Sequence, residues 1–162
     1  MITDILLNSL IPTFIILHLL VAPYTKVEES FNIQATYDIA TYGIPRGNFS
    51  QTLQEHYDHF SFPGAVPRTF VGALFLAYTS KPILFLTGGK YAQFIVRATL
   101  GLFNAFALLR FRKGLDKAFG KDVGRCYILL LASQFHVIFY ASRTLPNMFA
   151  FGLSELTYLG RG

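Results

Sequence analysis

The sequence predicts an all-α polytopic membrane protein, with about three membrane-crossing helices and one long luminal loop carrying interfacial helices. Three observations lead there. Of the 162 residues, 52% are hydrophobic and only 14% are charged, against roughly 25% charge in soluble domains. From Ile5 to Tyr24 there is no Asp, Glu, Lys or Arg, and about 20 apolar residues are what a helix needs to cross a hydrocarbon core of roughly 30 Å. The charges are also segregated. Segment 110–125 holds six basic residues against Asp116 and Asp122, whereas segment 24–68 holds three basic residues against five acidic ones. The net charge of +5 would suit nucleic acid only if Lys and Arg clustered on a polar face. Here they punctuate apolar runs, so the expected partner is the lipid bilayer and not nucleic acid. A single cysteine, Cys126, excludes an intramolecular disulfide framework and a multi-Cys zinc site, and it reads as structural.

The elements follow in order within one membrane domain, 1–162. Segment 5–23 is the first span. Its start, Met1-Ile2-Thr3-Asp4, lacks the basic region of a secretory signal, and no small-x-small cleavage site follows, so it reads as an uncleaved anchor. Pro12 within it implies a kink. Segment 24–68 opens with a short helix: Thr25 and Glu28 fit a capping box, Val27, Phe31, Ala35 and Ile39 recur every four residues, and Gly43 is a natural stop. That helix should lie along the membrane, apolar stripe down. Asn48-Phe49-Ser50 is a glycosylation sequon, usable only on a luminal loop. Segment 69–89 has too short an apolar run before Lys81-Pro82 to cross, and Gly88-Gly89 ends it, which predicts an interfacial or re-entrant helix.

Segment 91–110 is the second span, interrupted only by Arg97, with Gly101 and Ala105 four apart as suits helix association. Segment 110–125 is a basic cytoplasmic loop by the positive-inside rule, and segment 126–142 is the third span. An odd number of crossings is required, because the basic and acidic segments must lie on opposite sides. His136 and Arg97, ionisable groups at membrane depth, are expected to face the protein interior.

No Walker loop, dinucleotide fingerprint, His-Glu-x-x-His or Asp-x-Asp occurs, so nucleotide hydrolysis, dinucleotide binding, zincin chemistry and metal-held nucleotide-sugar chemistry lack their usual residues. His56 and His59 are spaced as two ligands on a helix would be, but no third ligand accompanies them, and no metal site is expected. What remains is an acidic pair, Glu28-Glu29, just past a span, then Tyr57-Asp58-His59 and a Pro- and Gly-rich run ending in Arg68.

Tyr24-Thr25-Lys26-Val27-Glu28-Glu29-Ser30-Phe31-Asn32 with Gln34-Ala35-Thr36, then Tyr57-Asp58-His59, Phe62-Pro63-Gly64 and Val66-Pro67-Arg68-Thr69-Phe70, and later Gln134-Phe135-His136 and Arg143-Thr144-Leu145-Pro146-Asn147, closely resemble the N-terminal portion of the dolichyl-phosphate-mannose-dependent α-1,6-mannosyltransferases of N-glycan precursor assembly, in glycosyltransferase family 22. The resemblance runs from about Leu17 to Phe151. It implies a GT-C fold, an endoplasmic reticulum location with the catalytic loop luminal, dolichyl phosphate mannose as donor, a dolichyl-diphosphate oligosaccharide (Man7GlcNAc2) as acceptor, and an inverting transfer needing no metal or other cofactor.

Such a displacement needs a carboxylate to take the acceptor's hydroxyl proton and cations to stabilise the departing phosphate. The resemblance places the base in the pair Glu28 and Glu29, with Glu28 favoured as the first member; as N3 of a capping box, Glu28 would instead be structural and Glu29 the base. Arg68 and Arg143 are the candidate phosphate ligands, Lys26 adds a third cation, and Asp58 and His59 could orient the acceptor. Enzymes of this type have more spans than three, so the chain is expected to be incomplete and weakly active or inactive alone. The alternatives are a related mannosyltransferase of glycosylphosphatidylinositol anchors and a small non-catalytic membrane protein.

Overall fold

The computed structural model describes residues 2–44, 51, 54–55, 57 and 69–157. Among the described residues there are seven helices and no strand: α1 (Ile2–Val21), α2 (Val27–Tyr42), α3 (Val71–Leu86), α4 (Ala92–Phe119), α5 (Lys121–Ser133), α6 (Phe135–Tyr140) and α7 (Pro146–Thr157). They form two compact units, Met1–Tyr24 with Arg97–Gly162, and Thr25–Val96.

In the first unit, α1 and α4 are long and apolar enough to cross a membrane. Ile11 and Ile15 of α1 pack with Ala105 and Leu108 of α4, Ile128 and Leu131 of α5, and Ile138 of α6. Away from that seam the helices remain apolar: Ile5, Leu6, Leu17 and Leu20 of α1, Leu102 and Phe106 of α4, and Leu129 and Leu130 of α5 are exposed. Helices that are apolar on both the packed and the outward faces suit a lipid surround better than water.

At Gly101 the seam is tight, as its expected role in helix association requires. A Cβ built there would lie 2.8 Å from Ile15 Cγ2 and 3.1 Å from Ser142 Cβ, closer than packed carbons tolerate. Gly101→Val is therefore expected to lower stability by about 1–3 kcal/mol through overpacking, read as a lower thermal midpoint of the detergent-purified protein. A midpoint equal to wild type would show that the seam has slack.

Three expectations for this unit are corrected. Segment 110–125 is not a loop: α4 continues to Phe119, and Gly120, with φ 93°, makes the turn into α5. Arg112 sustains the helix there, its Nε 3.6 Å from Asp116 Oδ2 one turn on. Segment 126–142 is not one helix either. α5 ends at Ser133, whose Oγ donates to the Leu130 carbonyl at 2.7 Å, and Gln134 is extended at ψ 94° before the six residues of α6. His136, expected to face inward, is exposed, and Ile138 of the same short helix takes the core position.

In the second unit α2 packs on α3, through Ala35 and Ile39 against Ala73, Ala77 and Tyr57. The stop expected at Gly43 is present, with φ 71° and its N–H donating to the Ile39 carbonyl at 3.0 Å. The expected apolar stripe is only half right: Ala35 and Ile39 are buried against α3, while Val27 is 86% exposed. The sixteen residues of α3 span about 24 Å at 1.5 Å per residue, short of a hydrocarbon core of roughly 30 Å. Lys81-Pro82 does not break it. Pro82 sits inside the helix, which ends at Thr87 before Gly88; one forgone ladder bond at Pro82 leaves the rest of the helix intact.

Candidate active site

The acidic pair occupies the first turn of α2. Negative charge is favoured there by the helix dipole, which explains locally why two glutamates follow one another. They are not equivalent. Glu29 is fully buried, its N–H donates to the Lys26 carbonyl at 3.0 Å, and its Oε1 accepts from the Lys26 N–H at 3.3 Å. Glu29 is thus the N3 carboxylate that reaches back to the cap residue. The expected pairing of Thr25 with Glu28 is corrected by one register step, since the helix starts at Val27 and not at Lys26. Glu28 is exposed, as is Lys26.

Behind Glu29, at three and seven residues further on, the same helix face buries Asn32 and Thr36. Thr36 Oγ1 donates to the Asn32 carbonyl at 2.6 Å. This polar face went unread in the sequence, where Phe31, Ala35 and Ile39 suggested an apolar one. The spacing 29, 32, 36 was the available signal. Farther along α2, a cleft of about 670 Å³ is lined by Tyr37, Asp38 and Thr41, with Lys81 of α3 and Gln93 of α4. Asp38 there is only 7% exposed, and neither it nor the cleft was anticipated. Tyr57 closes the core beside it, donating its hydroxyl to the Gly43 carbonyl at 2.7 Å. Burial first, then the charges of Asp38 and Tyr78, push the Tyr57 phenol up, so it stays a donor through the neutral range.

Arg143 belongs to the first unit. It is 3% exposed, its Nη1 donates to the Tyr24 carbonyl at 3.0 Å, and its guanidinium lies 4.3 Å from the Phe139 ring centre. Arg97, 1% exposed, faces the protein interior as expected. Its Nη1 donates to the Pro23 carbonyl at 2.6 Å and its Nε to the Ser142 carbonyl at 3.3 Å. Two buried arginines therefore hold the two carbonyls that follow α1, immediately before Thr25 in the chain. Arg68, Asp58 and His59 lie outside the described residues, as do His56 and the sequon at Asn48. Among the described candidates, the structure brings Lys26, Glu28 and Glu29 together on one helix start.

Among the described residues the architecture is all-helical, two helices are long and apolar enough to cross a bilayer, and an acidic pair opens a short helix, the frame of a helical membrane protein. Residues 9–159 match the Alg9-like mannosyltransferase family, and the chain belongs to it. Among its relatives, the Saccharomyces cerevisiae protein named Dol-P-Man:Man(7)GlcNAc(2)-PP-Dol alpha-1,6-mannosyltransferase is 39% identical over 87% of this chain and 29% of its own length. The Arabidopsis thaliana protein of that name is 36% identical over 96% of this chain and 30% of its own. The Drosophila melanogaster one is 40% identical over 82% of this chain and 19% of its own. The chain thus spans three tenths or less of these relatives. No solved structure matches it.

Proposed function

We propose that this chain takes part in transferring mannose from dolichyl phosphate mannose, in α-1,6 linkage, to the lipid-linked seven-mannose oligosaccharide in the endoplasmic reticulum membrane. The observation that carries this reading is that relatives bearing that one name align with 82–96% of the chain, within a family match that includes the acidic pair. The bilayer is crossed three times, by α1, α4 and the broken pair α5 and α6, with segment 24–68 in the lumen and segment 110–125 in the cytoplasm. α3 stays at the interface. The outward apolar side chains of α1, α4 and α5 and the charge asymmetry between the two segments support this arrangement.

In the reaction, the 6-hydroxyl of an acceptor mannose attacks the anomeric carbon of the β-linked donor. The C–O bond to phosphate breaks as the new one forms, configuration inverts, and dolichyl phosphate leaves. Glu28 takes the hydroxyl proton. Its exposure, beside a Glu29 engaged at the helix cap, supports that division of labour. Arg68 and Lys26 stabilise the charge growing on the phosphate, and Asp58 and His59 orient the acceptor. Arg143, buried on the Tyr24 carbonyl, acts through the chain it holds. No metal or other cofactor enters the reaction.

The test is a chimaera in which these residues replace the matching portion of the yeast relative, expressed in cells that accumulate the seven-mannose precursor for lack of the α-1,6 enzyme. Restored conversion to the eight-mannose precursor is expected. A chimaera that inserts normally and leaves the seven-mannose precursor unchanged would overturn the reading.

A further inference from the structure

We infer that the outward face of α4 is a binding site for anionic phospholipid headgroups. Leu102, Phe106, Arg110, Lys113 and Lys117 follow one another at intervals of four, four, three and four residues, which places all five on one face of the helix. All five are exposed, Leu102 at 50% and Phe106 at 55%. One outward stripe therefore changes from apolar to cationic within a single turn, between Phe106 and Arg110.

The acidic groups of this region are committed elsewhere. Arg112, on a different face and 3% exposed, is bonded by Asp4 Oδ1 at 2.9 Å and by Asn8 Oδ1, with Asp116 close by. Arg125 is held by Asp4 at 3.1 Å and by Asp122 at 3.0 Å. The carboxylates of Asp4, Asp116 and Asp122 thus serve Arg112 and Arg125, and among the described residues no carboxylate is paired with the three cations of the outward stripe.

Length fixes where those cations sit. The 28 residues of α4 extend about 42 Å, whereas the hydrocarbon core is roughly 30 Å thick and each headgroup layer adds about 5–8 Å. With Leu102 and Phe106 in the hydrocarbon, Arg110 falls at its edge, and Lys113 and Lys117 lie about 5 and 10 Å further along the axis. That is the depth of lipid phosphates. Long cationic side chains on an interfacial helix gain most from lipids with net negative charge, so the occupant is an anionic phospholipid such as phosphatidylserine or phosphatidylinositol. The inference rests on the membrane part of the proposed function and is independent of the mannosyl transfer.

The test uses the full chain reconstituted into phosphatidylcholine bilayers containing spin-labelled phosphatidylserine or spin-labelled phosphatidylcholine, comparing the motionally restricted fraction of each. Wild type is expected to prefer phosphatidylserine by about threefold or more, and raising salt to 1 M, where the screening length is about 3 Å, should remove most of the preference. The triple variant Arg110→Gln, Lys113→Gln, Lys117→Gln should bind both lipids equally. Equal restriction in wild type, a preference untouched by salt, or a preference retained by the variant would each overturn the proposal. The salt series needs no variant, so it decides even if the triple substitution fails to fold. Release of wild type from membranes by alkaline carbonate would sink the membrane reading along with this one; retention without lipid preference sinks this one alone.

Discussion

Glu28→Gln, placed in the yeast chimaera, is expected to lower α-1,6 mannose transfer by about two to four orders of magnitude, the usual share of a general base, while helix content and membrane insertion stay at wild-type levels. Glu28 is exposed, so the substitution disturbs little packing. Glu29→Gln is expected to cost about tenfold or less, since its amide oxygen can still accept from the Lys26 N–H as Glu29 Oε1 does at 3.3 Å. Glu29→Ala removes that acceptor and should cost about 1 kcal/mol of stability through the lost cap. Microsomal transfer measured beside circular dichroism separates the two roles. The reverse pattern, with Glu29→Gln inactive and Glu28→Gln near wild type, would move the base to Glu29 and leave Glu28 as a charge favoured by the helix dipole.

Arg97→Ala is expected to produce the largest loss of stability of any single change in the first unit, about 3 kcal/mol or more. It leaves the Pro23 and Ser142 carbonyls without the donors that now reach them at 2.6 and 3.3 Å, and it opens a cavity where a fully buried side chain stood. For a chain of this size the corresponding fall in thermal midpoint is about 6–12 °C, measured on the detergent-purified protein. Arg97→Lys should recover only part of it, because one ammonium cannot reproduce a planar fork aimed at two carbonyls. An unchanged midpoint for Arg97→Ala would mean that other donors replace it. The substitution also bears on function, since Pro23 and Tyr24 lead directly into Lys26, Glu28 and Glu29.

The acidic pair was legible because it stands alone between a long apolar run and a helix of visible period. Its internal assignment was not. Whether Thr25 or Lys26 caps α2 turns on one residue of register, and both Glu28 and Glu29 lie in the first turn in either case. Farther along the same helix, Ala35 and Ile39 meet Ala73 and Ala77 of α3, a contact between segments some forty residues apart that local sequence does not display. Arg143 shows the same limit. As an arginine at the edge of an apolar run it read as one candidate phosphate ligand, and nothing local showed that its guanidinium engages the Tyr24 carbonyl, 119 positions away in the chain. Segment 126–142 was read as one unbroken helix for a local reason: seventeen uncharged residues conceal the break at Gln134, which composition does not register.

The sequence by itself determined that the chain is helical and apolar, that its first helix covers Ile2–Val21 in near agreement with the expected 5–23, that α2 stops at Gly43, and that several separated motifs belong to one mannosyltransferase family. These depend on composition, period and short runs of residues, all of which are local. Tertiary structure alone decided which glutamate reaches back to the helix cap, where Arg97 and Arg143 place their donors, and which basic residues remain outward once Asp4 has engaged Arg112 and Arg125. The physical reason is that a buried charged group is assigned by whichever partner the packing brings within about 3 Å, and for Arg112 that partner, Asp4, lies 108 residues away in the chain.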